Sequence, residues 1–460
     1  MYKQDLHLHF VGIGGIGMSG IAQIFAQKGF RVSGCDSDCS QKNIENLREL
    51  GCTISEGNNS ATCHNDAIDV LVYSSAISET NPEIIRAQKY GIPVVHRSLL
   101  LAELMRTHYS IGITGSHGKT TTSSLTAHLL LEANYDPTIV VGGNMHNINN
   151  NAHHGKGVFL VAEADESDRS LLNLPICYGV LTNIDLEHLE TYKDIEDIAE
   201  TFQMFLNKIP FYGRAFVCID DTTTQALLPK FRNVISYGIH ESAHWKIVDV
   251  ILNRDDSSFS LLNKEVIYGP FKISLPGIHN IKNATAALLV AHILEVPWDT
   301  IKKGLSTFQG VDRRFTYKGS FNGAAIFDDY GHHPEELFNS FKVARKKTDG
   351  KLVVLFQPHR YSRTQALWNE FIKVLSSSDI DELILTDIYP ASEFPREGIT
   401  SQNLLKELKK ISPQIRASYI PLDNDFKDLE AYLKKILKPE DLLLLQGAGK
   451  VNKIASKLIS

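Results

Sequence analysis

The 460-residue sequence is poor in several features that define whole classes of protein. Six cysteines are too few for a disulfide-based fold. No stretch reaches the roughly 18 consecutive apolar residues of a membrane span, and no apolar run precedes the first glycines as in a signal peptide. The net charge of −6 shows no basic excess, which argues against nucleic acid as the main partner. We therefore expect a soluble, cytoplasmic protein.

The cysteines are concentrated near the N-terminus. Cys35, Cys39, Cys52 and Cys63 lie there, and His64 follows directly. No C-x-x-C pair occurs, although such pairs are typical of zinc sites. The pattern favours reduced, partly buried thiols over a zinc site.

Composition and length predict a protein of several domains. Apolar residues make up 43% and charged residues 22% of the chain, as in ordinary globular proteins. A chain of this length is too long for one core and suggests about three domains. No short-period repeat is present, which argues against a solenoid.

Strand and helix patterns alternate in three successive runs, which is typical of α/β folds with parallel sheets. The first run has strand patterns at "LHLHFVGI", "FRVSGCD", 69–77 and 91–96, and the second begins at 108–115 and includes a helix near residue 280. In the third run, strands end in the polar clusters of "AAIFDDYGHHP", "KLVVLFQPHR" and "ELILTDIYPA". We expect domains at 1–107, 108–305 and 306–460, with sites at the carboxyl ends of strands.

A glycine-rich loop connects the first strand to the first helix. Gly12, Gly14 and Gly17 match G-x-G-x-x-G, which lets a pyrophosphate approach the helix N-terminus. Asp36 ends the next strand, where an acid that binds a ribose would lie. A nicotinamide cofactor, another nucleotide diphosphate and a simple packing turn all remain possible on this pattern alone.

A second phosphate loop follows the strand at 108–115. Gly115, Gly118, Lys119 and Thr120 supply the amides, amine and hydroxyl that hold a triphosphate and Mg²⁺. The loop is a variant, because Ile113 replaces the first glycine of G-x-x-x-x-G-K-[ST]. Its position between a strand and a helix favours nucleotide binding.

Acidic residues end a strand of the same domain. The segment "EADESD" contains Glu163, Asp165, Glu166 and Asp168, and His188 follows the next strand pattern. Mg²⁺ prefers oxygen ligands of this kind. A solvated acidic edge is the alternative, and a lone histidine is more often structural than functional.

The chain resembles the Mur ligases, the ATP-dependent amide-forming enzymes of bacterial cell-wall assembly. The resemblance covers essentially the whole chain. It rests on these segments in order: "HFVGIGGIGMSGIA", "GSHGKTTT", "EADESD", "TNIDLEHLETY", "GIHNIKNATAA", "GVDRRF", "DDYGHHPEEL", "FQPHRYSRT", "DIYPASE" and "QGAGK".

The resemblance implies a fold and a reaction. The fold would combine a Rossmann-like UDP-binding domain, a P-loop ATPase-like central domain and a Rossmann-like C-terminal domain. The reaction would join L-alanine to the carboxylate of UDP-N-acetylmuramate through an acyl phosphate, with ATP and Mg²⁺, in peptidoglycan precursor synthesis. The partners would be small molecules, and the chain would be a monomer or weak homodimer.

The resemblance also assigns residues to sites. The UDP-sugar site would comprise Gly14, Gly15, Ile16, Gly17, Met18, Asp36, Ser74 and Ser75. ATP would be bound by Gly115, Ser116, His117, Gly118, Lys119, Thr120, Thr121, Asn280, Asn283, Arg314 and Asp329. The amino acid would be bound by Tyr330, His332, His359, Arg360 and Arg363. Metal ligands would be Thr120, Glu163 and His188, and the catalytic residues Lys119, Glu163 and His188, with His188 a candidate base.

The sequence departs from the family pattern at a few positions, and alternative functions stay open. Phe202 stands near the position of a carbamylated lysine in several sister ligases, which favours the alanine-joining branch. Ser116 replaces a commoner threonine, and Leu186 and Glu187 are unusual beside His188. The rivals are a ligase that attaches a whole tripeptide to the same sugar, a nicotinamide oxidoreductase and a non-catalytic nucleotide-binding module.

Overall fold

The computed structural model describes residues 5–57, 68–423 and 425–459. Cys63 and His64 lie outside the described residues. Among those described, no helix is both long enough and apolar enough to cross a lipid bilayer.

The N-terminal part is built around a five-stranded sheet. Its elements are β1 (His7–Val11), α1 (Ile16–Gln27), β2 (Arg31–Asp36), α2 (Lys42–Glu49), β3 (Thr53–Glu56), β4 (Val70–Tyr73), α3 (Pro82–Lys89), β5 (Val94–His96) and α4 (Arg97–Met105). The strands are parallel in the order β3-β2-β1-β4-β5. The expectation of a parallel sheet here is confirmed, although β4 and β5 are shorter than the predicted 69–77 and 91–96.

The middle part forms a ten-stranded sheet. Its elements are β6 (Tyr109–Thr114), α5 (Lys119–Glu132), β7 (Thr138–Met145), β8 (Asn150–His153), β9 (Phe159–Glu163), β10 (Tyr178–Leu181), α6 (Ile195–Leu206), β11 (Arg214–Cys218), α7 (Thr222–Leu227), β12 (Val234–Gly238), β13 (Trp245–Leu252), β14 (Ser257–Asn263), β15 (Val266–Ile273), α8 (Ile278–Ile293) and α9 (Trp298–Thr307). The order is β15-β14-β13-β12-β11-β10-β6-β9-β7-β8.

Both edges of this sheet are antiparallel, whereas the strands from β13 to β7 pair in parallel. The hairpins β13–β14–β15 and β7–β8 form the edges. The strand and helix rhythm did not predict these hairpins, because it depends on the helices that connect parallel strands.

The C-terminal part contains a six-stranded sheet. Its elements are β16 (Thr316–Phe321), β17 (Ala324–Asp329), α10 (Pro334–Lys347), β18 (Leu352–Phe356), α11 (Tyr361–Ala366), α12 (Trp368–Ser377), β19 (Glu382–Leu385), α13 (Ser401–Ile411), β20 (Ala417–Tyr419), α14 (Lys427–Ile436), β21 (Leu442–Gln446) and α15 (Ile454–Ile459). The order is β16-β17-β21-β18-β19-β20, and only the β16–β17 pair is antiparallel.

The first helix links the N-terminal and middle parts. It packs against β7 and β8 of the ten-stranded sheet. The Nδ2 atom of Asn151 donates a hydrogen bond of 2.7 Å to the carbonyl of Ile16, at the first residue of α1. The helix that follows the first glycine loop is therefore anchored to the part of the chain that carries the second phosphate loop. The domain limits at 107 and 306 stay a prediction.

Candidate active site

The second phosphate loop depends on two glycines. Gly115 and Gly118 connect β6 to α5 and have φ angles of +127° and +83°, which L side chains rarely adopt. A Cβ at residue 115 would lie 2.1 Å from Thr182 Oγ1, and one at residue 118 would lie 2.5 Å from Asn283 Oδ1. These positions require glycine for both backbone and steric reasons.

Lys119 is the first residue of α5, and its side chain folds back over this loop. Its Nζ donates hydrogen bonds to the carbonyls of Gly115 (2.7 Å) and Ser116 (3.0 Å) and lies 2.8 Å from Glu166 Oε1. Burial opposes the charge of a lysine, but the carboxylates of Glu166 and Glu187 raise its pKa above the ordinary value. Lys119 is therefore a buried cation placed to meet phosphate oxygens.

Hard oxygen atoms surround this lysine. Thr120 Oγ1 donates a 2.9 Å hydrogen bond to Glu163 Oε2, and burial raises the pKa of Glu163. In the described part of the chain, Glu166 Oε2 is buried and has no hydrogen-bond partner. The donor set of Thr120, Glu163 and Glu166 fits Mg²⁺, which prefers oxygen ligands. When bound, Mg²⁺ would neutralise charge on the phosphate oxygens.

His188 lies beside Glu166 and not in the pair formed by Thr120 and Glu163. Its Nε2 is 3.4 Å from Glu166 Oε1, and its Nδ1 is 3.6 Å from Glu190 Oε1. Burial lowers the pKa of His188, but the nearby carboxylates of Glu166 and Glu190 outweigh it and raise the pKa to about 9. His188 is thus protonated at neutral pH in this arrangement. Its roles as metal ligand and base stay predictions.

Seven of the eleven predicted ATP residues line one cavity of about 440 Å³, whereas Ser116, Lys119 and Thr120 line a neighbouring cavity of about 780 Å³. From the middle part, the lining of the 440 Å³ cavity includes His117, Gly118, Thr121, Asn280 and Asn283; Arg314 and Asp329 line it from the other side. Arg314 Nη2 also donates to Thr120 Oγ1 at 3.3 Å. The cavity therefore lies between the middle and C-terminal parts, beside the loop of Lys119.

Asp329 holds several segments of the C-terminal part together beside the 440 Å³ cavity. Its carboxylate accepts hydrogen bonds from the backbone amides of Phe315 (2.9 Å) and Gly331 (2.9 Å) and from the side chains of Ser340 and Gln446. Such a network fixes the segment that carries Tyr330 and His332. Asp329 shapes the cavity through these contacts.

The first glycine loop is held by Asp36. Asp36 Oδ2 accepts a hydrogen bond of 2.8 Å from the amide of Gly14, and Oδ1 accepts one of 3.0 Å from Asp38. The loop opens into the neighbouring cavity of about 780 Å³, which is lined on this side by Gly15, Ile16, Gly17, Met18, Ser74 and Ser75. Asp36 supports the loop from behind, and its contact with a ribose stays a prediction.

The predicted amino-acid residues line the same 780 Å³ cavity. These are Tyr330, His332, His359, Arg360 and Arg363, and Lys119, Thr120, Glu163 and His188 also line it. Arg363 Nη1 is 3.0 Å from His359 Nδ1, and Arg360 Nη1 donates a 2.6 Å hydrogen bond to Glu190. Burial and, next, Arg363 lower the pKa of His332 to about 4, so this imidazole is neutral at pH 7.

Glu336 is a site residue that the sequence reasoning missed. Its Oε2 accepts hydrogen bonds from the amides of His332 (2.9 Å) and His333 (3.2 Å), and its Oε1 lies 3.5 Å from His117 Nδ1. The side chain therefore connects the amino-acid cluster to the phosphate loop. The capping box of His333 and Glu336 at the start of α10 was the available signal.

Arg97 was also missed. It follows β5 directly, and its Nη2 lies 2.8 Å from Asp165 Oδ2 in the "EADESD" segment. An added Cβ at Gly17 would lie 2.9 Å from Arg97 Nη1, so the glycine leaves room for this side chain. Burial raises the pKa of Asp165, but Arg97 and Lys119 outweigh it and lower the pKa to about 2. The position of Arg97 at the carboxyl end of a strand was the signal.

The departures noted in the sequence have structural counterparts. Phe202 is fully buried in the core under α6. Ser116 Oγ donates to the carbonyl of Asp185 and accepts from the Asp185 amide. Cys35 and Cys52 are buried, and Cys39 is partly buried.

Models of three protein domains match the chain. The Mur ligase family catalytic domain matches residues 7–109, the Mur ligase middle domain matches 113–291, and the Mur ligase glutamate ligase domain matches 313–449. The chain belongs to the Mur ligase family. The resemblance seen in the sequence is confirmed, as is the three-part α/β fold.

Individual Mur ligases match over the full length. UDP-N-acetylmuramate--L-alanine ligase of Geobacter sp. (strain M21) is 44% identical and covers 100% of this chain and 98% of its own. The enzyme of the same name from Syntrophus aciditrophicus is 41% identical, with 100% and 94% covered. The crystal structure of UDP-N-acetylmuramate-alanine ligase from Thermotoga maritima has a TM-score of 0.83 at 25% identity, with 99% and 98% covered.

Proposed function

We propose that this chain is an ATP-dependent ligase that joins L-alanine to the carboxylate of UDP-N-acetylmuramate through an acyl phosphate, in peptidoglycan precursor synthesis. The observation that carries the proposal is the shared cavity. The first glycine loop, the phosphate-loop lysine and the histidine and arginine cluster line the same 780 Å³ space. The relatives at 41–44% identity support the choice of substrates.

We assign a different substrate to each of the two glycine loops. In this proposal the first loop holds the diphosphate of the UDP-sugar, and Ser74 and Ser75 lie beside it. Lys119, in the second loop, contacts the β- and γ-phosphates of ATP. Asn280 and Asn283 line the 440 Å³ cavity and bind the adenine end of the nucleotide. A carboxylate is a poor electrophile, so phosphoryl transfer to it prepares the amide-forming step. Lys119 stabilises the charge that moves between phosphate oxygens.

The amine of alanine then attacks the acyl phosphate, and a tetrahedral oxyanion collapses with loss of phosphate. Arg363 and Arg360 offer forked donors that suit the alanine carboxylate. His188 stays the candidate base. Because its pKa is about 9, it can accept the amine proton only after it has lost its own proton.

The rivals lead to different products. A tripeptide-attaching ligase would prefer a peptide to alanine as the incoming amine. A nicotinamide oxidoreductase would leave Lys119 and Glu163 without a role, and a non-catalytic module would leave the charged lysine unused. The proposal is tested by incubating the protein with UDP-N-acetylmuramate, ATP, Mg²⁺ and either alanine or a tripeptide.

We expect product of the mass of the alanine adduct, with phosphate release in equal amount and no change in nicotinamide absorbance. A faster reaction with the tripeptide would replace the proposal by the first rival. Omission of Mg²⁺ should abolish phosphate release. The same samples, measured by light scattering after gel filtration, test our expectation of a monomer or weak homodimer. Cellular fractionation tests the proposed cytoplasmic location.

A further inference from the structure

Three metal-ligating side chains from different elements meet under the first glycine loop. His9 lies on β1, Cys35 on β2 and Glu83 in the first turn of α3. His9 Nε2 is 3.1 Å from Glu83 Oε2, and Cys35 Sγ is 3.1 Å from Glu83 Oε1. One ligand atom from each residue lies within 4.8 Å of the other two.

This cluster is removed from solvent. The exposed fractions are 1% for His9, 0% for Cys35 and 0% for Glu83. Cys35 itself belongs to a small apolar core with Val11, Leu71 and Ile84. A buried carboxylate requires partners, and Glu83 has His9 Nε2 at 3.1 Å on one oxygen and Cys35 Sγ at 3.1 Å on the other.

Further contacts orient the cluster. Ser33 Oγ lies 2.8 Å from His9 Nδ1 and 2.7 Å from His7 Nε2. The contact with Ser33 holds the His9 ring with Nδ1 turned away from the cluster and Nε2 facing Glu83, an orientation like that of histidines that ligate metals through Nε2. The amide of Glu83 donates to the Asn81 side chain at 2.9 Å, which fixes the first turn of α3.

We propose that His9, Cys35 and Glu83 form a structural site for a divalent metal ion with the chemistry of Zn²⁺. A thiolate, a carboxylate and a neutral imidazole together carry two negative charges, which balance such an ion. Zn²⁺ accepts this mixture of sulfur, nitrogen and oxygen, and the second carboxylate oxygen of Glu83 can supply a fourth ligand atom. Ligand bonds of about 2.0–2.3 Å require ligand atoms separated by roughly 3.3–3.6 Å, which is close to the two separations of 3.1 Å.

The site is separate from the Mg²⁺ position proposed above. It would stabilise the N-terminal sheet, because it ties β1, β2 and α3 together. The carbonyl of Cys35 accepts hydrogen bonds from the amides of Gly12 (2.8 Å) and Ile13 (3.0 Å). The metal would therefore hold the base of the first glycine loop without contacting a reacting atom.

The test uses the full chain, purified without a metal-binding tag and stripped with a chelator. Cobalt(II) is titrated as a probe, since a thiolate ligand produces a strong near-ultraviolet absorption band. We expect one equivalent of Co²⁺ to produce the band, Zn²⁺ to displace it, and Zn²⁺ to raise the melting temperature. Ser33→Ala should weaken the affinity by about tenfold to a hundredfold, because it removes the partner of the His9 imidazole.

The matched variants are Cys35→Ala and Cys52→Ala, which each remove a buried thiol of the N-terminal part. The band and the zinc-dependent rise in melting temperature should be lost in Cys35→Ala and kept in Cys52→Ala. Glu83→Gln should bind Co²⁺ more weakly while keeping the shape of the side chain.

Absence of a cobalt band from folded wild-type protein would overturn the proposal, as would a band that survives in Cys35→Ala. The wild-type titration decides the question even if a variant does not fold. Circular dichroism establishes that the stripped wild-type protein is folded.

Discussion

The Nζ atom of Lys119 and the Oε1 atom of Glu166 lie 2.8 Å apart, and both side chains are largely buried. The phosphate-loop lysine is thus already paired with a carboxylate. The same Oε1 atom is 3.4 Å from Nε2 of His188. A triphosphate that engages Lys119 competes with Glu166 for the lysine, and this exchange would change the charge that His188 experiences.

Replacing Lys119 tests the loop assigned to phosphoryl transfer. Lys119→Ala should abolish ligation, with a loss of roughly 3 kcal/mol or more in transition-state stabilisation. Binding of the UDP-sugar should be nearly unchanged, because it uses the other loop. Phosphate release and calorimetric titration with the UDP-sugar measure the two effects. Lys303→Ala, which alters an exposed ion pair with Glu132, is the control. Near-normal turnover in Lys119→Ala would refute the assignment.

Replacing Gly14 tests the first loop. A Cβ on residue 14 would lie 3.0 Å from Asp36 Oδ2 and 3.1 Å from Ile44 Cδ1. Gly14→Val should displace the loop and raise the KM for the UDP-sugar by about tenfold to a hundredfold, given a cost of about 1–3 kcal/mol for overpacking. The KM for ATP, measured in the same assay, should change little. A defect confined to ATP would mean that the two loops are reversed.

Replacing Arg360 tests the amino-acid cluster. Its Nη1 atom is bound to Glu190 at 2.6 Å, so the guanidinium is already oriented in the cavity. Arg360→Lys keeps the charge but loses the planar pair of donors. The KM for alanine should rise by about tenfold to a hundredfold, while hydroxylamine should still trap the acyl phosphate formed without alanine. Arg396→Lys, whose Nη1 contacts Gln365, is the matched control. If the KM for alanine is unchanged and ATP binds more weakly, Arg360 does not bind alanine and acts instead in domain closure.

Glu336 should couple the amino-acid cluster to the phosphate loop. Glu336→Gln keeps one oxygen for the amides of His332 and His333 but removes the charge that faces His117. We expect kcat to fall by about tenfold or more, equivalent to about 1.4 kcal/mol, with a small change in stability. Glu430→Gln, in the first turn of α14, should keep kcat. An unchanged kcat in Glu336→Gln, with only a lower melting temperature, would mean that Glu336 only caps α10.

His117 should make stability depend on pH at the alkaline side. Burial lowers the pKa of His117, but its hydrogen bond to Asp185 and the nearby carboxylate of Glu336 outweigh it and raise the pKa from 6.5 to about 10. A raised pKa in the folded state gives stability that is full below pH 6.5 and is lost as the pH rises towards 10. Thermal unfolding of wild type and His117→Gln should differ by about 1.5–3 kcal/mol at pH 6 and converge near pH 10. A difference independent of pH would show that His117 is neutral.

The sequence by itself determined the two phosphate loops, the three runs of strands and the family. Gly115, Gly118 and Lys119 are close in the chain, and a strand, a tight turn and a helix place them in one way only. The same holds for Gly12, Gly14 and Gly17. Local spacing and backbone geometry are sufficient for such motifs, because their contacts span only a few residues.

Only the tertiary structure decided how distant side chains meet. It paired His188 with Glu166, brought Glu336 to His117, and joined Arg97 to Asp165. It also assembled His9, Cys35 and Glu83, whose sequence spacing matches no metal-binding motif. Residues separated by tens to hundreds of positions meet only after sheets stack and domains pack. Their distances therefore depend on the whole fold, and no local pattern in the sequence encodes them.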